Sequence, residues 1–303
     1  IFVGIGSSIF HPEASRIAFL ASGGKRSFTQ AVFQLGGNSG SALAPLLVIM
    51  VVFTKKIVDG QLVEESHLER LLWFVLFPAL AIVILLFIGA WRKKLLKQAQ
   101  TLKKREIPLP DLTHAQVRNS VIILMFLVFS KNFYTAGISN YFQFYTIKTF
   151  GFTNAEAQLY LFYYLGAAAA GTLIGGFFGD RVGRKFIIWF SILGAAPFAL
   201  WLPYADAKTT AVLVVLIGFI ISSAFASILV YAQELLPKKI GMISGVFYGF
   251  AFGMAGLGSA VLGKLIDMTS ITFVYKVCSF LPLMGLTAYF LPNLRKVKTK
   301  LSE

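Results

Sequence analysis

The chain has 303 residues, of which 57% are hydrophobic and 14% are charged, and it contains 30 Phe and 27 Gly. Soluble domains carry about 25% charged residues, so this composition excludes an ordinary soluble protein and indicates an integral membrane protein. A single cysteine, Cys278, excludes an internal disulfide framework. Three scattered histidines without cysteine neighbours argue against a structural zinc site.

The first segment, residues 1–21, is apolar except for a few polar groups that include His11, Glu13 and Arg16. A charged side chain at the centre of a bilayer costs about 2.5–3.5 kcal/mol on insertion scales, so these groups require partners or a polar cavity. The chain opens within an apolar run and shows neither a basic flank nor a small-residue cleavage site. We therefore interpret the segment as the end of a membrane helix and not as a signal peptide.

Eight further segments are apolar enough to cross a bilayer, most of them near the ~20 residues that a spanning helix requires. They are 27–53, 70–91, 119–147, 155–178, 186–204, 210–233, 241–263 and 271–291. The only long polar linker, 92–118, separates the first spans from the last six. Span 241–263 also carries Gly241, Gly245, Gly249 and Gly253 on one face, a pattern typical of closely packed membrane helices.

Basic residues are distributed unequally between the two sides of these spans. When the loops are assigned alternately, 19 Lys and Arg residues fall on one side and six on the other. Basic loops stay cytoplasmic, which predicts that the 92–118 loop and the C-terminus are inside. Topology and contact with lipid headgroups then account for the formal net charge of +15, so membrane lipid is a predicted partner and nucleic acid is not.

A weak internal repeat relates two of the spans. KRSFTQAVFQLGG (25–37) aligns with KIGMISGVFYGFA (239–251), an offset of 214 residues or six spans. Two six-helix halves in a parallel repeat would give this offset. The repeat therefore predicts twelve helices in the whole protein, with this chain starting within the fourth.

The most specific motif is the turn GGFFGDRVGRK (175–185) between two spans on the basic side. Gly176 allows two helices to approach closely, Gly183 permits a tight turn, and Asp180 can accept from the N-terminal amides of a neighbouring helix. This G-x-x-x-D-R-x-G-R-K loop resembles the signature loop of the major facilitator superfamily. A turn that serves only membrane topology is the alternative.

The resemblance implies an all-α membrane transporter built from two helix bundles. Residues 1–91 would form the remainder of the N-terminal bundle (helices 4–6), 92–118 the cytoplasmic linker, and 119–303 the C-terminal bundle (helices 7–12) with a basic tail. The signature loop would lock the two halves together, meeting the helix that starts near Ser27. Its predicted gating residues are Gly176, Asp180, Arg181, Gly183 and Arg184, with Glu234 paired to Arg184 or Arg181.

In such transporters the first, fourth, seventh and tenth helices line a central cavity near the membrane midplane. At 1.5 Å per residue, His11 and Glu13 would lie about 15 Å deep, and Glu13 and Arg16 are i,i+3 neighbours that can pair. These three form the predicted proton-coupling group. The predicted substrate-binding residues are Lys131, Arg16, Gln34, Asn38, Tyr134, Asn140 and Tyr231.

More positive than negative charge in this cavity predicts an anionic substrate, and a carboxylate released from its arginine is a candidate proton carrier. The structural alternatives are a Glu13–Arg16 pair that closes a helix kink at Pro12, a snorkelling Lys131, and a His11 packed beside Pro12. The sequence around these residues also resembles bacterial drug exporters of the same superfamily. That resemblance implies a multi-pass monomer of the bacterial inner membrane that exports a small phosphonate antibiotic in exchange for protons.

Other classes fit less well. The sequence shows no HExxH, no nucleophile elbow and no paired carboxylates, which argues against an enzyme, and neither a metal nor an organic cofactor is predicted because the proton gradient would supply the energy. A channel gives no reason for the signature loop. Within transporters, a proton-coupled symporter of an organic anion or metabolite is the second reading, and a non-transporting receptor on the same fold is a third.

Overall fold

The computed structural model describes residues 2–58, 61–99, 109–294 and 299–300. Within these ranges, eight helical segments are long and apolar enough to cross a membrane. The helices are α1 (Phe2–Ala21), α2 (Arg26–Val52), α3 (Leu76–Ala99), α4 (His114–Phe150), α5 (Asn154–Val182), α6 (Arg184–Leu193), α7 (Ala196–Trp201), α8 (Ala207–Ser222), α9 (Ala224–Leu235), α10 (Ile240–Met268) and α11 (Ile271–Cys278). Short 3-10 helices cover Leu68–Val75, Leu202–Tyr204, Pro237–Lys239 and Leu281–Phe290.

The fold is helical wherever the sequence predicts a membrane span, but it is not purely α. Strands β1 (Phe53–Val58) and β2 (Gln61–Ser66) pair antiparallel between α2 and the 3-10 helix that follows, with Phe53 opposite Ser66. The β-branched residues of this segment favour extended pairing. Two-residue strands β3 (Leu109–Pro110) and β4 (Thr299–Lys300) pair in the same way.

Several helices begin or end at residues other than the predicted ones. Helix α3 continues to Ala99 and α4 already begins at His114, so both ends of the 92–118 linker are helical, and residues 100–108 lie outside the described part. A capping box explains the early start of α4, because the Thr113 hydroxyl accepts from the Gln116 N–H at 3.2 Å while the Gln116 side chain accepts from the Thr113 N–H at 2.9 Å.

Three predicted spans are broken. The span 186–204 divides into α6 and α7, with Pro197 in the first turn of α7, and the span 271–291 changes from α11 to a 3-10 helix that contains Pro282. Proline cannot donate the backbone hydrogen bond that a continuous helix needs. The span 210–233 divides into α8 and α9 at Ser223, whose hydroxyl donates to the Ile220 carbonyl at 2.7 Å.

Two buried clusters form the interior of the part between α4 and the last 3-10 helix. One joins α4, α5, α8 and α11 through residues such as Tyr145 and Tyr275, whose rings stack with centroids 4.3 Å apart. The other joins α4, α6, α9 and α10 through residues such as Ile188 and Phe247, both fully buried. Outside these clusters, α1 packs on α10 and α2 packs on α5. The region between these two helices and the part that begins at α4 is therefore available for a site.

Close approach of α2 to α5 depends on small residues. A Cβ added at Gly176 would lie 2.7 Å from the Ser27 carbonyl oxygen, and one added at Gly179 would lie 3.2 Å from the Ser27 Cβ. On α10, a Cβ added at Gly241 would lie 3.6 Å from Arg16 of α1, and one added at Gly245 would lie 3.9 Å from Pro12. A Cβ added at Gly249 or Gly253, on the same face of α10, would meet no described atom within 4 Å.

Candidate functional site

A cavity of about 620 Å³ lies between α1, α2, α4, α5, α8, α9 and α10. Ligand sites in proteins typically enclose about 300–1,000 Å³, so this cavity has the size of a site for a small organic molecule. Of the predicted site residues, His11, Gln34, Asn38 and Lys131 line it. The others lie elsewhere.

Lys131 is the charged side chain of the cavity wall. It projects from the middle of α4 and is only 8% exposed, and its ammonium nitrogen lies 4.9 Å from the centre of the Phe225 ring. No ion pair among the described residues includes Lys131. Burying an ammonium group without a carboxylate is costly, and a cation–π contact offsets only part of that cost. An anionic ligand would complete this site.

Amide and hydroxyl groups extend the polar part of the wall. The Asn38 amide donates to the Thr172 hydroxyl at 2.8 Å, and the Thr172 hydroxyl in turn lies 3.3 Å from the Ser222 carbonyl. The amide nitrogen of Gln34 is buried without a hydrogen-bond partner among the described residues. Gln34 on α2 and Lys131 on α4 therefore both offer unused donors to the same cavity, which suits an oxyanion.

Tyr134, Asn140 and Tyr231, which the sequence predicts as substrate-binding residues, do not line this cavity. Tyr134 is 3% exposed within the cluster that includes Tyr275, and Asn140 donates to the Ser259 hydroxyl at 2.8 Å. The Tyr231 hydroxyl donates to the Pro292 carbonyl at 2.5 Å. At about 100° per residue, Asn140 lies about 180° around α4 from Lys131, so helix geometry alone separates the two.

Glu13 and Arg16 also lie outside the cavity lining, contrary to the sequence prediction. The Glu13 carboxylate is bound by the guanidinium group of Arg92 near the end of the α3 membrane span, and it lies 3.6 Å from Arg16. The predicted Glu13–Arg16 pair is present, but Arg92 completes it. Because the carboxylate has two cationic partners and does not line the cavity, its surroundings favour the structural alternative.

His11 remains at the cavity, enclosed by aromatic rings. Its ring centre lies 5.0 Å from that of Phe252, 5.4 Å from both Phe10 and Tyr248, and 6.2 Å from Phe33. These rings come from α1, α2 and α10. Of the three predicted proton-coupling groups, His11 is therefore the one that a bound ligand would meet.

The signature loop makes the contact with α2 that the sequence predicts. Asp180 accepts from the backbone N–H groups of Ser27 and Phe28 at 3.1 and 2.9 Å, which are unpaired donors in the first turn of α2. The positive end of the helix dipole favours this carboxylate. Gly183 alone joins α5 to α6, with φ 118°, a conformation that glycine adopts without strain.

An ion-pair cluster surrounds that contact. Arg184 donates to Asp180 and to Glu234, both at 2.9 Å, and to the Ser27 hydroxyl at 3.0 Å. Glu234 also accepts from Arg26 at 2.8 Å. Of the two arginines predicted as partners of Glu234, Arg184 therefore makes the pair. Arg181 instead lies over the Phe177 ring at 3.9 Å.

A second layer of contacts lies between this cluster and the cavity. Ser15, Gln30, Gln233 and Ser244, one each from α1, α2, α9 and α10, are fully buried. The Gln30 amide donates to the Ser15 carbonyl and hydroxyl at 2.6 and 2.9 Å, and the Gln233 amide donates to Ser15 and Ser244 at 3.2 and 2.9 Å. We call these four residues the amide–hydroxyl layer.

Sequence reasoning missed the amide–hydroxyl layer, Arg26, Arg92 and the aromatic residues around His11. Gln30 and Gln233 are isolated polar residues within apolar runs, a signal that could have indicated a buried interhelical contact. Arg92 lies 79 residues from Glu13, and no local pattern relates them. No group of His, Cys, Asp and Glu able to hold a metal occurs in the described ranges.

A family model described as Major Facilitator Superfamily matches residues 1–260. The chain is 52% identical over 297 residues to the fosmidomycin resistance protein of Escherichia coli (strain K12), which covers 97% of this chain and 69% of that protein.

Two further relatives are more distant. The uncharacterized MFS-type transporter YfnC of Bacillus subtilis (strain 168) is 39% identical over 300 residues, with 98% of this chain and 70% of that protein covered. The cis,cis-muconate transport protein of Acinetobacter baylyi is 25% identical over 244 residues, covering 78% of this chain and 55% of that protein.

Proposed function

The chain belongs to the major facilitator superfamily of transporters, and from this premise we propose that it exports a small organic anion in exchange for protons by alternating access. The proposed substrate is a fosmidomycin-like phosphonate, as the name of the E. coli relative suggests. The observation that carries the proposal is Lys131, a buried cation in the cavity wall that no carboxylate pairs in the described part of the chain. An oxyanion held between Lys131 and Gln34 would pair two unused donors.

The proposed orientation follows from the basic loops. The end of the bundle with the Gly183 turn and the 92–118 loop would face the cytoplasm of a bacterial inner-membrane protein. The contacts of Asp180, Arg184 and Glu234 would then close the cytoplasmic side, and the cavity would open outward in this structure. Residues 1–91 and 119–303 would belong to the two bundles that rock against each other in a monomer, with membrane lipid around them.

We assign proton coupling to His11 and not to Glu13. Histidine side chains commonly act as proton shuttles, and His11 lines the cavity that the substrate would enter. Glu13 is held by Arg92 and Arg16 outside the lining, so a substrate in the cavity would not displace its partners directly. Arg16 is accordingly a partner of Glu13 in this proposal. Protons are the coupled ion and no cofactor takes part.

A symporter of an organic anion is the second candidate function. The relative from Acinetobacter baylyi is named for transport of cis,cis-muconate, an organic anion. The same lysine would serve import, because a binding site does not set the direction of coupling. The direction of the proton gradient distinguishes the two functions. An antiporter accumulates the anion on the acidic side of the membrane, whereas a symporter accumulates it on the other side.

The test uses the full-length protein in inverted membrane vesicles and labelled fosmidomycin. We expect the vesicles to take up the drug when their lumen is more acidic than the medium. Lys131→Gln should lower this uptake about tenfold or more, because removing a buried charge partner of the ligand costs more than 1.4 kcal/mol. Lys148→Gln, at an exposed position near the end of the same helix, is the matched control. Equal uptake by Lys131→Gln and wild type would contradict the proposal.

The coupling assignment is tested in the same vesicles. His11→Gln should abolish gradient-driven accumulation while exchange of labelled for unlabelled drug continues without a gradient. Glu13→Gln should keep both activities per folded molecule. If Glu13→Gln alone loses the response to the gradient, Glu13 is the proton carrier and the assignment to His11 is wrong.

A further inference from the structure

One side of the cavity is built from aromatic rings. Phe10 and His11 of α1, Phe33 of α2, and Tyr248 and Phe252 of α10 form a continuous surface in which His11 contacts each of the other four rings. We call these five residues the aromatic wall. All five line the same cavity as Lys131.

Part of the aromatic wall has no covering group among the described residues. Tyr248 is 3% exposed, but Phe10 and Phe252 are 41% and 51% exposed although they line a cavity. A Cβ added at Gly249 or Gly253, on either side of Phe252 along α10, would likewise meet no described atom within 4 Å. Uncovered apolar rings inside a polar-rimmed cavity are typical of a binding site for an apolar group.

The wall is joined to the cation by one ring. Phe225 of α9 lies under the Lys131 ammonium group at 4.9 Å, and its ring meets Tyr248 edge-to-face with centres 5.5 Å apart. A ligand whose oxyanion is bound at Lys131 would therefore have the aromatic wall within reach of the rest of its body. A compact inorganic anion would use the lysine alone and leave the wall in water.

We infer that the cavity selects organic anions that carry a planar unsaturated or aromatic group, with the oxyanion at Lys131 and the planar group on the aromatic wall. The inference rests on the proposed function for the anion end of the ligand. Charge complementarity fixes one end, because the lysine lacks a carboxylate partner among the described residues. Edge-to-face and offset contacts with Phe10, Phe252 and Tyr248 select the other end.

The test measures binding directly, so that it does not depend on transport. Purified full-length protein is titrated with methylphosphonate and phenylphosphonate, which share the oxyanion and differ in the group attached to it. We expect phenylphosphonate to bind about tenfold more tightly, since burial of a phenyl ring against aromatic partners exceeds the burial of a methyl group by more than the 1.4 kcal/mol that this ratio requires.

Four variants assign the preference to its cause. Phe252→Ala, or Phe10→Ala should Phe252→Ala not fold, is expected to reduce the ratio to about threefold or less. Phe144→Ala on α4, where the side chain is 61% exposed away from the cavity lining, is expected to keep the ratio. Lys131→Gln should weaken both ligands by a similar factor.

The outcomes separate the two proposals. Equal binding of the two phosphonates, or an unchanged ratio in Phe252→Ala and Phe10→Ala, overturns the aromatic subsite whether or not the drug is exported. Binding that depends on Lys131 and shows the tenfold preference for phenylphosphonate, while vesicles take up no fosmidomycin, supports the subsite and contradicts the export of that drug.

Discussion

Lys131 and Glu13 show two ways in which a membrane helix holds a charge. The Glu13 carboxylate is about one-third exposed and is bound by Arg92 and Arg16, so its charge is compensated within the protein. Lys131 is buried with an aromatic ring as its partner, so its compensation is incomplete. Uncompensated charge at membrane depth is typical of functional sites, which is why we place ligand binding at Lys131 and a structural role at Glu13.

The structural role of Glu13 predicts a loss of stability without a loss of transport. Glu13→Gln leaves Arg92 and Arg16 without their carboxylate, which should cost about 1 kcal/mol for a partly exposed pair. A lower melting temperature of the detergent-solubilised full-length protein would show this, with Glu69→Gln, whose side chain is 70% exposed, as the control.

Arg92→Gln should lower the melting temperature to a similar extent. The double variant should lose less than the sum of the two single variants, because both remove the same ion pair. Additive losses would mean that Glu13 and Arg92 stabilise the protein through separate contacts.

At this scale the sequence predicted residues better than partners. It singled out Lys131, His11, Gln34 and Asn38, because a polar residue within an apolar span is conspicuous. It could not exclude Tyr134 or Asn140, since the face of a helix that meets a cavity depends on how α4 is rotated against its neighbours. The Arg92 partner of Glu13 was hidden by sequence distance.

At the scale of helices, glycines determine how closely α2, α5 and α9 approach. Gly175 packs against Ser223, Gly176 against Ala31 and Gly179 against both Ser27 and Ser227. A Cβ at any of these three positions would displace a neighbouring backbone or a buried side chain. Gly166, nearer the start of α5, has nothing within 4 Å of its added Cβ.

The two kinds of glycine on α5 predict effects of opposite sign. Gly166→Ala should raise the free energy of unfolding by up to about 1 kcal/mol, because alanine is the better helix former. Gly176→Ala should lower it by about 1–3 kcal/mol, since overpacking forces α2 away from α5. Thermal unfolding of the full-length variants measures both, and stabilisation by Gly176→Ala would show that α2 and α5 are not in tight contact.

The sequence predicted the helices well because about 20 apolar residues have few other structures available in a bilayer. The interruptions were harder. Ser223 divides α8 from α9 beside the cavity, but a serine is no reliable sign of a break. The sequence predicts no strand between the spans 27–53 and 70–91, because the few β-branched residues of β1 and β2 are a weak signal beside two long apolar spans.

Over the whole molecule, two layers close the basic end. The outer layer is the ion-pair cluster of Arg26, Asp180, Arg184 and Glu234. Glu234, which is shared by both arginines, has a side-chain exposure of 17%. The inner layer is the amide–hydroxyl layer, which carries no charge. Beyond both layers the cavity begins, so opening of this end would have to break charged contacts first and neutral ones afterwards. The sequence predicted the outer layer from the signature loop, but not the inner one.

This order predicts what removal of a single charge does to the whole molecule. Glu234 is shared by Arg26 and Arg184 at 2.8 and 2.9 Å, so Glu234→Gln leaves two facing guanidinium groups without their common carboxylate. The closed arrangement should lose at least about 1.4 kcal/mol, which raises the population open at the basic end about tenfold.

Ser244→Cys can report this opening in full-length protein from which native cysteines have been removed. Ser244 is fully buried in the amide–hydroxyl layer, so a thiol at this position reacts only when the basic end opens. A membrane-impermeant thiol reagent applied to inverted vesicles should label it about tenfold faster when Glu234→Gln is present. Glu156→Gln, at the opposite end of α5 where the side chain caps the helix with Thr153, should leave the rate unchanged. If Glu234→Gln also leaves it unchanged, the neutral layer alone holds this end closed, and the ion pairs orient the loop without locking it.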